Sequence, residues 1–341
     1  MTVSVLIAVY NTHSYLARSL DSLLAQSHTD LDIICVDDCS TDWSWNVLTD
    51  YARRDSRIRL LRQPSNQGQA KARNAALKEA HGEYVMMLDS DDWLAPDAVE
   101  QCLATFENVP ETDCVLFRLM MTDEEGNNAT PYVNKTDKKV LTGQDAFRLS
   151  LNWSLHGVYM VRTDIHKTYP YDDSCRLYSD DNTTHIHYLH SRHVALSEGE
   201  YFYRQHPASA TATLSIRRFD MMDSNLHLKQ LILKEKEKGS LSPQEADEAL
   251  NLFETQRWLN LVDCYWLLFR NRKRFTTDER KSVMRRIRTL LPTIERARIP
   301  WRLKLKPGYW PFRPLWLFRL WTGSYLWVKW KLSNIGKRNV S

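Results

Sequence analysis

The 341-residue sequence has only ten glycines and six cysteines. No apolar run approaches the ~20 residues needed to span a bilayer. Cys35 and Cys39 form neither a Cys-x-x-Cys pair nor half of a matched set, which argues against a disulfide framework or a cysteine-rich zinc site and leaves free thiols as the expectation. There is no low-complexity tract and no internal repeat, so the composition is that of a folded chain rather than a solenoid, fibre or disordered segment. The N-terminus lacks the basic region and small-residue cleavage site of a secretory signal, which gives a cytoplasmic expectation. Finally, no acidic residue follows Glu295.

What is present begins with alternation. Val/Ile-rich strand patterns at 3–9, 31–36, 58–61, 84–88 and 114–119 are separated by helical spacings from Ser14 and at 43–53, 69–80 and 97–106. This rhythm predicts an α/β fold with a mostly parallel central sheet flanked by helices. From 120 to 210 the segments shorten, with Gly157, Pro170 and Gly199 as punctuation, and beyond 216 the chain reads as a helical C-terminal extension. Residues 216–341 carry 27 Lys and Arg against 12 Asp and Glu, so a basic C-terminal part follows an acidic N-terminal one and different partners are expected for each.

Open parallel sheets bind ligands beyond the carboxyl ends of their strands. Here those ends are Ala-Val-Tyr-Asn at 8–11, Asp-Asp-Cys-Ser at 37–40 and Asp-Ser-Asp-Asp at 89–92. Carboxylates crowded at one edge raise one another's pKa unless a cation neutralises them, and hard oxygen ligands of this kind select Mg²⁺ or Mn²⁺ with positions open for phosphates. The alternative for Asp92 is a cap for the helix that starts near Asp97. His185, His187 and His190 invite a zinc reading, but with no cysteine beside them a solvated or amphipathic helix is expected.

The segments Val-Ser-Val-Leu-Ile-Ala-Val-Tyr-Asn at 3–11, Val-Asp-Asp-Cys-Ser-Thr-Asp at 36–42, Asn-Gln-Gly at 66–68 with Ala-Arg-Asn at 72–74, and Leu-Asp-Ser-Asp-Asp at 88–92 resemble, in order and spacing, the motifs of the family 2 inverting glycosyltransferases of the GT-A fold. The resemblance implies a donor site for a nucleotide-diphospho-sugar, with a UDP-sugar expected. Ala8 and Tyr10 would line the base pocket, Asp37 would accept from the base, and Asp89 with Ser90 would hold the ribose. Asp91 would hold Mn²⁺ or Mg²⁺. Lys71 and Arg73 would act as counter-charges, Arg73 by its fixed fork; a solvated helix face is the alternative for both. The segment Tyr-Ser-Asp-Asp-Asn at 178–182 and the run 201–211 resemble the family's acidic pair and its Tyr-Arg-x-His-Pro-x-Ser loop, although the family usually has Glu where this chain has Asp180. On this resemblance Asp181 is the expected base, Asp180 orients it or holds the acceptor, and Arg204, His206 and Ser209 close on the diphosphate. Trp153 and His156 are candidates for stacking an acceptor sugar, with core packing the equal alternative.

Three regions follow: 1–215 as the GT-A domain (1–110 for the nucleotide sugar, 111–215 for the acceptor), 216–299 as helices, and 300–341 as a tail. The tail combines nine Lys or Arg, eleven when counted from Glu295, with Trp301, Trp310, Trp316, Trp321, Trp327 and Trp330. Such a mixture suits the inner face of the cytoplasmic membrane as a peripheral contact, or packing on the protein or a second copy in a homo-oligomer. Nucleic acid is not expected, since no nucleic-acid motif accompanies the charge. The expected activity is hexosyl transfer to a glycan or lipid-linked acceptor in bacterial surface polysaccharide synthesis, as in capsule, O-antigen or exopolysaccharide. The rivals are a sugar nucleotidyltransferase, which would be expected to show a Gly-rich basic loop where Tyr10 and Asn11 stand, and a non-catalytic nucleotide-sugar-binding scaffold on the same fold.

Overall fold

The computed structural model describes residues 1–209 and 212–338. The chain divides into two compact units, with the boundary between Leu214 and Ser215.

The first unit contains strands β1 (Val3–Val9), β2 (Leu31–Asp37), β3 (Ile58–Arg62), β4 (Tyr84–Met87), β5 (Trp93–Leu94), β6 (Thr112–Thr122), β7 (Thr130–Pro131), β8 (Val140–Thr142), β9 (Tyr159–Arg162) and β10 (His193–Arg204). Its helices are α1 (His13–Leu24), α2 (Ser44–Arg54), α3 (Gln69–Glu79), α4 (Ala98–Asn108), α5 (Gly143–Ser150), α6 (Thr163–Thr168) and α7 (Asp180–Leu189). One sheet runs β3-β2-β1-β4-β9-β6-β10-β5, with β7 beside β6 and β8 beside β10.

The order β3-β2-β1-β4 is parallel throughout, as the alternating pattern predicts. The continuous apolar run of β1 is buried on both faces, the condition for a central parallel strand. In β2 the buried Asp32 is satisfied by Ser4 Oγ at 2.8 Å and Arg59 Nε at 2.8 Å. Beyond β4 the sheet is mixed: β9 runs antiparallel to β4 and β6, β6 and β10 are parallel, and β5 is antiparallel to β10. A short apolar run identifies β9 as a strand but carries no information on its direction, which depends on how the chain returns to the sheet.

The second unit is helical: α8 (Asp220–Glu237), α9 (Pro243–Arg270), α10 (Thr277–Leu290), α11 (Trp301–Lys304) and α12 (Leu315–Arg338). Capping boxes Ser242/Glu245 and Thr276/Glu279 start α9 and α10. On α12, Phe318, Thr322 and Leu326 are buried and fall at i, i+4 and i+8. The Phe318 ring meets Trp258 at 5.8 Å and Tyr265 at 4.9 Å on α9, and Thr322 Oγ1 donates to Gly308 O at 2.7 Å. One stripe of α12 therefore packs on protein. Much of the tail's apolar surface does not: Trp301 and Trp316 are 65% and 66% exposed, and Trp321 and Trp327 are 50% and 45% exposed. Among the described residues, no helix is long and apolar enough to cross a membrane.

Candidate active site

Register brings the first two strand ends together, because Val9 pairs with Asp37. Tyr10 is exposed just beyond, and Ala8 is half-buried beside it. The chain then turns through Asn11 (φ 54°), while the β2 loop turns through Cys39 (φ 63°), conformations uncommon outside glycine. The two loops lock each other: Asn11 N donates to Ser40 Oγ at 3.1 Å, and Thr41 N donates to Asn11 Oδ1 at 2.8 Å. Asp37 is fully buried, accepting from Ser40 N at 3.1 Å and lying 3.0 Å from Arg62 Nε. Asp38 accepts from Gln67 N at 2.7 Å and Gly68 N at 2.8 Å. It thereby fixes the turn into α3, where Gly68 adopts φ 98°.

After β4, Asp89, Asp91 and Asp92 bring one carboxylate oxygen each within 4.8 Å of the others. Asp92 is committed on both sides, accepting from Tyr201 OH at 2.9 Å and Arg204 N at 2.8 Å. It is thus neither an open ligand nor a cap for α4, whose N-cap is Asp97. Asp91 Oδ2 lies 2.8 Å from His206 Nε2, and Asp89 Oδ1 accepts from Gln69 Nε2 at 2.8 Å and from Arg73. Ser90 is buried, its Oγ accepting from Thr12 Oγ1 at 3.0 Å. Burial, and then the neighbouring carboxylates, raise Asp91 and push Asp92 well above the usual carboxylate range. Negative charge crowded in this way is what a divalent cation relieves, and the carboxylate donor set fits a hard ion of the Mn²⁺ or Mg²⁺ kind, which Asp91 and Asp89 would hold.

Two of the anticipated phosphate contacts are engaged elsewhere. Arg204 donates through Nε to Asp91 O at 2.8 Å and through Nη1 to Glu124 O, and its guanidinium lies over the rings of Tyr15 and Trp93 at 4.9 and 4.8 Å. Arg73, 3% exposed, divides its fork between Asp89 and Asp180 Oδ2, the latter at 2.7 Å. Lys71 is exposed on α3, a position compatible with either of its two readings. Ser209 closes a turn through its carbonyl, which accepts from Thr213 N at 2.9 Å, whereas Ala210 and Thr211 of the same loop lie outside the described residues.

Asp180 and Asp181 open α7. Burial, then Asp180, raise Asp181 to about 8, with Arg73 opposing. Both line a cavity of about 530 Å³ together with Gln69, Asp89, Trp153 and His156. Trp153 holds φ 57° and Tyr178, also on the cavity wall, φ 71°. His156 is buried and its imidazole is pushed down to about 4 by burial. The expectation of a solvated or amphipathic α7 fails, because residues 182–189 are all buried. His185 and His187 are buried, the first 2.7 Å from Ser150 Oγ and the second 2.8 Å from Tyr159 OH and 2.7 Å from Tyr169 O. α7 packs against α5 rather than facing water.

Sequence reasoning assigned no role to Gln69, Tyr171, Tyr201 or His166. Tyr201 stood inside a recognised segment, and only its contacts reveal that its OH joins Asp89 N (3.1 Å) to Asp92.

The glycosyl transferase family 2 model matches residues 4–182, which is over half of the chain. The chain belongs to this family. Among curated relatives, the putative glycosyltransferase EpsH of Bacillus subtilis is 42% identical over 114 residues, 33% of this chain and 32% of that protein. Glycosyltransferase GlyG of Streptococcus pneumoniae is 27% identical over 224 residues, 62% of this chain and 73% of that protein. The chondroitin synthase of Escherichia coli is 39% identical over 125 residues, 37% of this chain but only 18% of that protein. The chain thus spans about a third of EpsH and less of the synthase. Among solved structures, S. aureus TarS 1-349 in complex with UDP-GlcNAc superposes with a TM-score of 0.75 at 19% identity, covering 95% of this chain and 91% of that one. The likeness shows a shared fold. The family, the glycosyltransferase class and the fold expected from the motifs are borne out.

Proposed function

We propose that this family 2 chain is an inverting glycosyltransferase that moves a hexosyl group from a UDP-sugar to a glycan or lipid-linked acceptor during surface polysaccharide synthesis. The observation that carries this reading is the Arg73 fork, which ties the acidic cluster after β4 to the acidic pair at the head of α7 across one cavity. A donor anchored at the strand ends and an acceptor in the cavity would meet at Asp181. TarS, a protein of the same fold, was solved with UDP and with UDP-GlcNAc, and several relatives carry names of polysaccharide synthesis, among them TuaG of teichuronic acid biosynthesis in Bacillus subtilis.

In the transfer, an acceptor hydroxyl oxygen forms the new bond to the anomeric carbon on the face opposite the diphosphate. The bond from that carbon to the phosphate oxygen breaks, and the electron pair leaves with the diphosphate. Asp181 takes the hydroxyl proton; a carboxylate raised toward neutrality by burial is suited to that work. Asp180, held by Arg73, orients the pair. A bound Mn²⁺ or Mg²⁺ would supply charge to offset the departing diphosphate. Ala8, Tyr10 and Asp37 would receive the base, Ser90 and Asp89 the ribose, and His206 would position Asp91. Trp153 and His156 would meet the acceptor. The exposed tryptophans and cations of the tail would rest on the inner face of an anionic membrane.

The test is release of UDP from a panel of UDP-sugars by purified protein with and without Mn²⁺. Release is expected only with metal, and Asp91→Ala and Asp181→Asn should each remove transfer. Most of the activity surviving in Asp181→Asn would overturn the base assignment.

A further inference from the structure

Of the buried histidines His156, His166, His185 and His187, of which the first two line the cavity, three have ring partners. His185 meets Ser150, His187 meets Tyr159 and Tyr169, and His156 Nδ1 accepts from Val158 N at 3.2 Å. His166 is different. It is 2% exposed, lines the cavity, and both of its ring nitrogens lack a hydrogen-bond partner. Its neighbours cannot supply one: the Tyr171 ring meets it edge-on at 4.5 Å, and His187, at 4.4 Å, already uses both of its nitrogens. A buried polar group without a partner costs stability, and native chains keep such groups where water or a ligand completes them.

The charge of the cavity is equally informative. Among its described lining residues Arg73 is the one cation, and both of its terminal nitrogens are bonded to Asp89 and Asp180. An anionic sugar there would face Asp180 and Asp181 with no side-chain cation left to receive it. The His166 ring itself lies between the rings of Tyr171 and His187, in a cavity whose wall is also built from Met86 and Tyr159. The volume of about 530 Å³ lies within the usual range for small-molecule sites, roughly 300–1,000 Å³.

We infer that the acceptor sugar seated in this cavity is uncharged, and that His166 is a specificity-determining residue that hydrogen-bonds one of its polar substituents. This deepens the proposed function and rests on its placing of the acceptor in the cavity. Burial holds the His166 ring neutral, so it offers one donor and one acceptor, the pairing a hydroxyl or acetamido group needs, and no charge to hold a carboxylate.

Saturation-transfer NMR of the full chain with methyl glycosides of glucose, galactose and N-acetylglucosamine, set against those of glucuronic and galacturonic acid, reads the cavity without turnover. Failure of UDP release is therefore a separate result that counts against the function alone. The neutral glycosides should bind at least tenfold more tightly than the uronates. His166→Phe should weaken the neutral ligands about tenfold while the melting temperature holds or rises, since an apolar ring replaces an unpaired polar one. His166→Gln, which keeps a donor and an acceptor, should recover much of the binding. Equal binding of uronates, or a His166→Phe variant that binds as wild type or loses stability without a selective loss of neutral ligands, would overturn the inference.

Discussion

Arg73 Nη1 donates to Asp180 Oδ2 at 2.7 Å across 107 positions of sequence, while its other terminal nitrogen holds Asp89. One buried guanidinium therefore sets the spacing between the acidic cluster after β4 and the head of α7. A Lys ammonium would lack the planar fork that points two separate donors at the two carboxylates.

Arg73→Met should lower both stability and turnover. Removing one partner of a buried ion pair costs about 3–5 kcal/mol, and the low end applies here because Asp89 and Asp180 keep 25% and 20% exposure. Arg73→Met and Asp180→Asn should then be less than additive in urea unfolding and in kcat, since each removes the same bond. Full additivity would show that the bridge carries no coupling.

The acid–base prediction concerns Asp181. A base must be unprotonated, so activity is present above its pKa and lost as pH falls through it. With Asp181 raised to about 8, kcat/KM should climb from pH 6 and level off above that value. A cation at Asp91 favours the ionised form and moves the limb to lower pH, so profiles at two Mn²⁺ concentrations should separate in that direction. A profile flat from pH 6 to 9 would remove Asp181 from the role.

Acid should unfold the first unit early. Burial disfavours the charged ring and pushes His156, His185 and His187 down to about 4, 3 and 4, from the usual value of about 6.5. The unfolded chain therefore takes up these protons first, and stability falls as pH drops below 6.5. At pH 5.5 each site costs about 1.4 kcal/mol, or roughly 4 kcal/mol for the three. Asp181 and Asp92, raised by burial, take up protons in the fold over the same range and oppose this loss, so the histidine share is read by comparing the shift of the urea midpoint between pH 7.5 and 5.5 in wild type and in His185→Asn; an equal shift in the two would mean that the ring is hydrated in solution.

The strand and helix rhythm of residues 1–120 was legible because parallel strands buried on both faces leave continuous apolar runs, and the acidic strand ends were legible because their residue types are chemically unusual there. What was not legible is pairing. The sequence offers no means of seeing that the Arg73 fork reaches both Asp89 and Asp180, that Arg204 grips the backbone of Asp91, or that a polar-looking α7 is covered by α5. Each depends on residues brought together from distant parts of the chain, which composition and periodicity do not encode. The tail was read as one feature, yet Phe318, Thr322 and Leu326 pack while neighbouring tryptophans stay exposed.

That division gives a cleaner test of membrane contact than truncation. Deleting residues 300–341 would strip Phe318 from Trp258 and Tyr265, along with the bond from Trp258 Nε1 to Tyr309 O at 2.8 Å, so lost binding could reflect a damaged helical unit. Replacing Trp316, Trp321 and Trp327 by Ser leaves the packed face of α12 intact. The triple variant should keep its melting temperature but lose at least tenfold in flotation with phosphatidylglycerol vesicles. Wild-type flotation should weaken at 0.5 M salt, where the Debye length falls to roughly 4 Å and the cations no longer act at a distance. Equal flotation of the two proteins would refute the membrane role, and a change in oligomeric state in the triple variant would assign the exposed tryptophans to a second copy of the chain.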